Sequence, residues 1–556
     1  MHTHVRHAHD DGYDRNEAPV RSAAIHAALG ALVLTGTAVA PSSHPAAHET
    51  PGTHPIRQTR EAAGAARAAD AAAAAGIDWR ECPDDEGLPS YAECGEVAVP
   101  LDYAAPDGTA LRLTVSRKRA TGPARAHQGP LLHNPGGPGA DSMSFPLYPA
   151  LRGGVWTKLN RAYDLVGYAP RGVGRSAPLR CHGPADERAA VPPVPSAAAQ
   201  RTLRERASAF AGDCARRYGA RLAHFTTADN ARDLDVLRAA LHRKRLTFTG
   251  TSYGAYLGAV YATLFPGHVR RLVLDSAPDP RPERIWYRDA LQQSAAFQRR
   301  WGDFASWAAR HQRVYGLGTT AAAVQRRFDA ARAALDRTGR PGRTGPEYSP
   351  GGGAGSRGLL LGYLDAGRGD ESWPRLASAL ADFDEGDPRA LTQVAASASG
   401  SAAQRENSDT AYLAVQCSEG DWPRAWSRWA RDHTALERRA PFQTWENLRT
   451  NLPCAYWSRG AAPARPVPVG PAPGRLPPVL LLASTRDGVT PYEGSVRTWR
   501  RLPGSSLVTE VGAGVHGVAG GNACADRHLA AYLLTGRTPG PAADCPRRPG
   551  PHAHRF

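Results

Sequence analysis

Lysine is nearly missing from this chain of 556 residues. Lys118, Lys158 and Lys244 stand among 68 basic residues, so arginine carries the positive charge. A net charge of +16 raises the question of nucleic acid, but the arginines are scattered. No block interleaves basic with aromatic residues, and no helical pattern is basic along one face, which argues against a strand-binding groove. Metal motifs are missing too. None of the eight cysteines forms a Cys-x-x-Cys pair, so neither a metal nor a cofactor is expected. Long unbroken apolar runs are also absent. The best stretch, Ala23 to Ala40, is interrupted by His26 and Gly30 and is rich in Ala, Gly and Thr.

That stretch follows Arg21 and closes with Ala38-Val39-Ala40, the layout of a secretory signal, read here as residues 1–40. A weak membrane anchor is the alternative, since the run is near the minimum spanning length. Its small-residue content disfavours that reading, and no stable membrane insertion is expected after cleavage. No cysteine follows the segment to accept a lipid. Residues 41–76, rich in Pro, His and Ala, read as a disordered linker. An even number of cysteines behind a signal favours disulfides in an oxidising compartment. They fall as neighbours, Cys82/Cys94, Cys181/Cys214, Cys417/Cys454 and Cys524/Cys545. Neighbour pairing is the simplest connectivity, though sequence does not fix it. A secreted, extracellular monomer is expected.

Hydrophobic content of 42% is enough for a substantial core, and the length suits one large domain with an insertion or two to three ordinary ones. From Ile77 the pattern is α/β. Val97–Leu101 and Leu111–Val115 read as antiparallel strands around a turn at Pro106-Asp107-Gly108. Leu131-Leu132, Tyr163–Tyr168, Leu246–Phe248, Val269–Asp275, Val479–Ala483 and Ser506–Val511 read as short buried strands, and Ala231–Leu241 as an amphipathic helix. Strands alternating with helices predict a mostly parallel sheet covered on both faces. Residues 77–277 form the first part of this core and 461–556 its C-terminal part. Residues 278–460, helical by pattern with a Gly-rich break at Gly351–Gly358, form a cap inserted between them.

The chemistry centres on Thr249-Gly250-Thr251-Ser252-Tyr253-Gly254, which follows the strand Leu246–Phe248 and precedes an Ala/Leu/Tyr helical pattern. Basic residues stand ahead of that strand. A serine on a strand-to-helix turn needs strained torsions, and glycine two places before and after lets strand and helix pass closely. A serine nucleophile also needs a base and an acid to hold it. Asp487 leaves the strand Val479–Ala483, and His516 sits in the small-residue loop after Ser506–Val511. An Asp before Gly is commonly a turn residue, and most of the 20 histidines must be incidental. Agreement of chain order, strand ends and glycine flanks across all three residues carries the assignment of Ser252, Asp487 and His516 as the catalytic set. Backbone N–H groups of Tyr253 and of Gly137, in the loop His133-Asn134-Pro135-Gly136-Gly137-Pro138-Gly139, are expected to form an oxyanion hole, with Gly136 the alternative to Gly137. Phosphate binding by this loop is the weaker reading, because no Gly-Lys-Ser/Thr follows it.

These motifs resemble the α/β-hydrolase superfamily and, within it, secreted tripeptidyl aminopeptidases close to prolyl aminopeptidases. The Gly136–Gly139 loop, Pro170-Arg171-Gly172-Val173-Gly174, Gly250–Gly254, Asp487–Pro491 and His516-Gly517 carry the resemblance over roughly 77–277 and 408–545. Ala169 departs from it, standing where the family often has Asp. The resemblance implies a peptidase that releases short peptides, tripeptides foremost, from substrates with a free N-terminus. A free α-amine calls for a carboxylate, and Glu419, then Asp421, are the candidates in the cap, with solvated surface acids the bland alternative. An ester or amide hydrolase of the same fold is the second expectation, because specificity lies in the cap. A non-catalytic binding protein is the third.

Overall fold

The computed structural model describes residues 53–182, 195–338, 352–396, 401–458, 464–471 and 474–555. The signal expected over 1–40 lies outside them. Ten strands make one sheet: β1 (Arg80–Glu81), β2 (Glu93–Pro100), β3 (Ala110–Lys118), β4 (Gly129–Asn134), β5 (Tyr163–Tyr168), β6 (Leu246–Thr251), β7 (Val269–Asp275), β8 (Leu480–Ser484), β9 (Ser506–Glu510) and β10 (Ala542–Cys545). Their order is β1-β2-β3-β5-β4-β6-β7-β8-β9-β10. The pairs β1–β2, β2–β3 and β3–β5 are antiparallel; every pair from β5–β4 to β9–β10 is parallel. Leu131, Leu132, Phe248, Leu274, Leu480, Leu481 and Leu482 are fully buried, as strands covered on both faces require. β1 and β10 escape the sequence pattern because they are short and largely exposed, with no apolar alternation.

Three expectations need correction. The linker assigned to 41–76 is helical over Thr53–Ala75. Ala65, Ala69 and Ala72 are buried, and Arg232 pairs with Glu61 at 2.6 Å. Alanine is the best helix former, so the composition that reads as low complexity also suits a helix with a face to bury. The Gly-rich break at Gly351–Gly358 is helical from Gly352, within Gly352–Arg368. Downstream packing of Leu359, Tyr363 and Ala366 in an apolar cluster offsets the poor propensity of glycine. The helix read over Ala231–Leu241 begins at Thr227, because the Thr226 side chain accepts from Asp229 N–H and caps it.

Between β7 and β8 the described chain is helical, from Tyr287–Arg310 to Gln443–Asn451. One part of this cap has its own core around Trp301, Phe304, Phe328, Tyr363 and Trp373. The other part sends Trp422, Trp429 and Trp445 into the main core, so cap and sheet belong to one compact unit, His54–Phe556. The sulfurs are joined Cys82–Cys94, Cys181–Cys214, Cys417–Cys454 and Cys524–Cys545. Among the described residues no helix is long and apolar enough to cross a membrane.

Candidate active site

Parallel register aligns the carboxyl ends of the central strands. Asn134 pairs with Gly250 across β4–β6, and Thr251 with Asp275 across β6–β7. Ser252 follows β6 directly, with φ 62° and ψ −125°, at the start of the helix Tyr253–Leu264. Such torsions are strained for a residue with a Cβ. The crossing is close. A methyl group on Gly254 would collide with the Asn134 carbonyl, and one on Gly250 with the Gly254 carbonyl. Ser252 N–H donates to the Asp275 carbonyl at 2.9 Å, which fixes the turn to the end of β7.

The loops after β8 and β9 bring Asp487 to His516. His516 Nδ1 lies 2.9 Å from Asp487 Oδ2 and 3.2 Å from Oδ1. A ring nitrogen facing a carboxylate carries the proton, which leaves the Nε2 lone pair outward. Asp487 is buried and also accepts from Val489 N–H (2.8 Å), Thr490 N–H (3.0 Å) and Thr490 Oγ1 (3.1 Å). Thr490 Oγ1 sits 3.2 Å from His516 Nδ1 as well, so it bridges acid and base. No hydrogen bond joins Ser252 Oγ to the imidazole among the described contacts, a common state before substrate seats.

What ties the His516 loop to the serine turn is Asp275. Its buried carboxylate accepts from Val518 N–H (2.9 and 3.0 Å) and Ala519 N–H (2.9 Å), while its carbonyl holds Ser252 N–H. Gly517 N–H donates to Ser276 Oγ at 3.0 Å. Burial pushes the Asp275 carboxyl above its usual range, and the Val518 and Ala519 N–H groups oppose that rise. The cap adds a second brace. Arg300, buried on Tyr287–Arg310, packs on Gly488 and Gly514, next to the acid and the base loop respectively. It pairs with Asp303 at 2.8 Å and with Asp370. His516 N–H donates to the Arg368 carbonyl at 2.7 Å.

Opposite, Gly136 packs against Ser252: a methyl there would lie 3.0 Å from Ser252 Cβ and from Tyr253 N. Gly136 and Gly137 both have positive φ, 102° and 103°, open to glycine and rarely to other residues. Gly136 N–H is occupied, donating to Asn134 Oδ1 at 2.9 Å. Gly137 N–H has no acceptor among the described residues, and Tyr253 N–H opens its helix, where the first amides lack intrahelical partners. His133 is a core residue at the end of β4, stacked on Phe145 and held neutral by burial, its pKa lowered to about 3. Ala169 is buried beside Cys82, Cys94 and Met143. Its loop is held instead by Arg171, which forks onto Asp233 at 2.7 and 2.6 Å.

The two cap acids part company. Asp421 is exposed. Glu419 is buried, and Oε1 accepts Thr227 N–H while Oε2 makes no hydrogen bond among the described residues. Thr227 Oγ1 lies 3.2 Å from the Tyr253 hydroxyl, which links the residue that bonds Glu419 to the residue after Ser252. Burial pushes the Glu419 carboxyl up to about 7. The one metal-like cluster among the described residues, Cys524, His528 and Cys545, contains a disulfide and so offers no thiolates. Sequence reasoning gave no role to Asp275, Thr490 or Arg300. A polar residue closing an apolar strand at its carboxyl end was the available signal for Asp275.

The model of a family described as TAP-like protein matches residues 440–545. A protein of Streptomyces lividans named tripeptidyl aminopeptidase is 42% identical over 96% of this chain and 98% of its own length. One of the same name from Streptomyces coelicolor is 44% identical over 89% and 90%. A Mycobacterium tuberculosis protein named carboxylesterase B is 32% identical over 84% and 89%. With this identity over nearly the whole length, the chain belongs to the tripeptidyl aminopeptidase family of α/β hydrolases.

Proposed function

We propose that this protein is a secreted serine peptidase that releases tripeptides from free N-termini through an acyl-enzyme on Ser252. The observation that carries the reading is the Asp487–His516 pair, joined through Asp275 to the strained turn that raises Ser252. His516 Nε2 takes the Ser252 proton as Oγ attacks the scissile carbonyl, and Asp487 stabilises the imidazolium. The oxyanion receives N–H bonds from Tyr253 and Gly137. His516 then protonates the departing amine, and water deacylates Ser252 with the same imidazole as base. Glu419 is the proposed partner of the substrate ammonium, since its Oε2 is a buried acceptor with no hydrogen bond among the described residues.

Hydrolysis of small esters is the second reading, supported by the relative named carboxylesterase B. A panel of tripeptide anilides, single-residue anilides and short acyl esters, run on wild type and Ser252→Ala, separates them. The expected result is highest kcat/KM on the tripeptide anilides and a loss of about 10³-fold or more in Ser252→Ala. Ester cleavage without anilide cleavage would overturn the peptidase reading.

A further inference from the structure

The amino ends of the parallel strands, at the opposite end of the sheet from Ser252, hold a feature that peptide cleavage does not use. Arg243, Lys244 and Arg245 precede β6, and Arg270 is the second residue of β7. With His127 and Gln128 they line a cleft of about 350 Å³, the size of a small-ligand site. Arg243 packs over Gly129, where a methyl would come within 2.8 Å of its Cζ. Arg243, Lys244 and Arg245 are exposed.

The cations here lack counter-charges. Among the described residues none of Arg243, Lys244, Arg245, Arg270 and Arg271 pairs with a carboxylate. The neighbouring acid, Asp235, is already engaged by Arg238 at 2.8 Å and His268 at 2.7 Å. Arg270 and Arg271 instead converge on one neutral atom, Gln128 Oε1, at 2.8 and 2.7 Å. Arg270 also reaches the Gln128 carbonyl at 3.3 Å and Thr247 Oγ1 at 3.3 Å. Two guanidinium groups sharing one amide oxygen repel each other, and an anion seated beside them relieves that repulsion.

We propose that this cleft binds a phosphate-bearing anion. Guanidinium forks match phosphate oxygens bidentately. Arg243, Lys244, Arg245 and Arg270 all line the cleft, and Arg271 follows on β7, bonded to Gln128, Tyr163 and the Leu533 carbonyl. A single carboxylate would leave most of that charge uncompensated. Such binding holds the enzyme on a phosphate-bearing partner and leaves the catalytic end of the sheet open. The inference is independent of the proposed peptidase reaction.

The test is calorimetric titration of the full chain with tripolyphosphate at about 0.15 M salt, where screening already weakens diffuse attraction. Lys244→Gln/Arg245→Gln removes two cations that make no side-chain hydrogen bond among the described residues. Arg438→Gln/Arg439→Gln, exposed on the cap, is the charge-matched control. The expected result is saturable binding, weakened about tenfold or more in the first double variant and unchanged in the control. Peptide cleavage is expected to be the same in all three proteins. Inorganic phosphate and phosphatidylglycerol vesicles identify the source. Vesicle binding with the same variant dependence points to a lipid headgroup, tripolyphosphate binding alone points to a soluble polyanion, and either supports the phosphate site. Absence of saturable binding to any of the three probes, or equal weakening in both double variants, would overturn it.

Discussion

At the scale of single residues, Glu419 makes the sharpest demand on experiment. Its carboxyl is buried and raised from an ordinary 4.5 to about 7, first by desolvation and against the opposing bond from Thr227 N–H. An acid raised in the folded state contributes stability that is fully present below about 4.5 and lost as pH rises through about 7. Glu419→Gln keeps an acceptor for Thr227 N–H and removes the titration. Its melting temperature is therefore expected to match wild type near pH 4.5 and to exceed it at pH 8, read by calorimetry. Substrate binding has the opposite sign, because an ammonium needs the carboxylate. KM for a free-amine tripeptide is expected to rise in wild type as pH falls below about 7. In Glu419→Gln it should be about tenfold or more higher at pH 8 and flat with pH, with kcat little changed. An unchanged KM would remove Glu419 from substrate recognition.

Elements meet at the catalytic centre through the ends of β6, β7, β8 and β9, and the loop after β7 links the others. Asp275→Asn replaces a carboxylate oxygen with an amide that faces the Val518 and Ala519 N–H donors. Because Asp275 acts through the His516 loop, kcat is expected to fall about a hundredfold while KM stays within about twofold. Equal changes in kcat and KM would mean a merely structural role. The contrast with Ser252 explains what was legible. A nucleophile turn imposes glycines two places to either side, and strands β5 and β7 declare themselves by short apolar runs, so local sequence carries them. The contacts of Asp275 with Val518 and Ala519, of Thr490 with His516 and of Arg300 with Asp370 join residues far apart in the chain, and no local pattern records which partner each one meets. The oxyanion loop was half legible. Its glycines mark the turn, but only the Asn134 side chain, by occupying Gly136 N–H, separates Gly136 from Gly137.

For the whole molecule, the helix Thr53–Ala75 adds a packed element ahead of Ile77. A chain starting at Ile77 would expose the surface that Ala65, Ala69 and Ala72 cover and leave Arg232 without Glu61. Its melting temperature is expected to drop by several degrees relative to a chain starting at Thr53, while equal melting would return the segment to the status of linker. The cap is bound to the sheet by a shared core and by Arg300, so recognition and catalysis are parts of one unit. Ser252 is therefore expected to cut three residues in from a free amine. Mass spectrometry of the products from one hexapeptide, offered with a free and with an acetylated N-terminus, tests this. Wild type is expected to release the N-terminal tripeptide from the free form and none from the acetylated form, and Ser252→Ala none from either. Equal cleavage of both forms, or tripeptide release by Ser252→Ala, would contradict it.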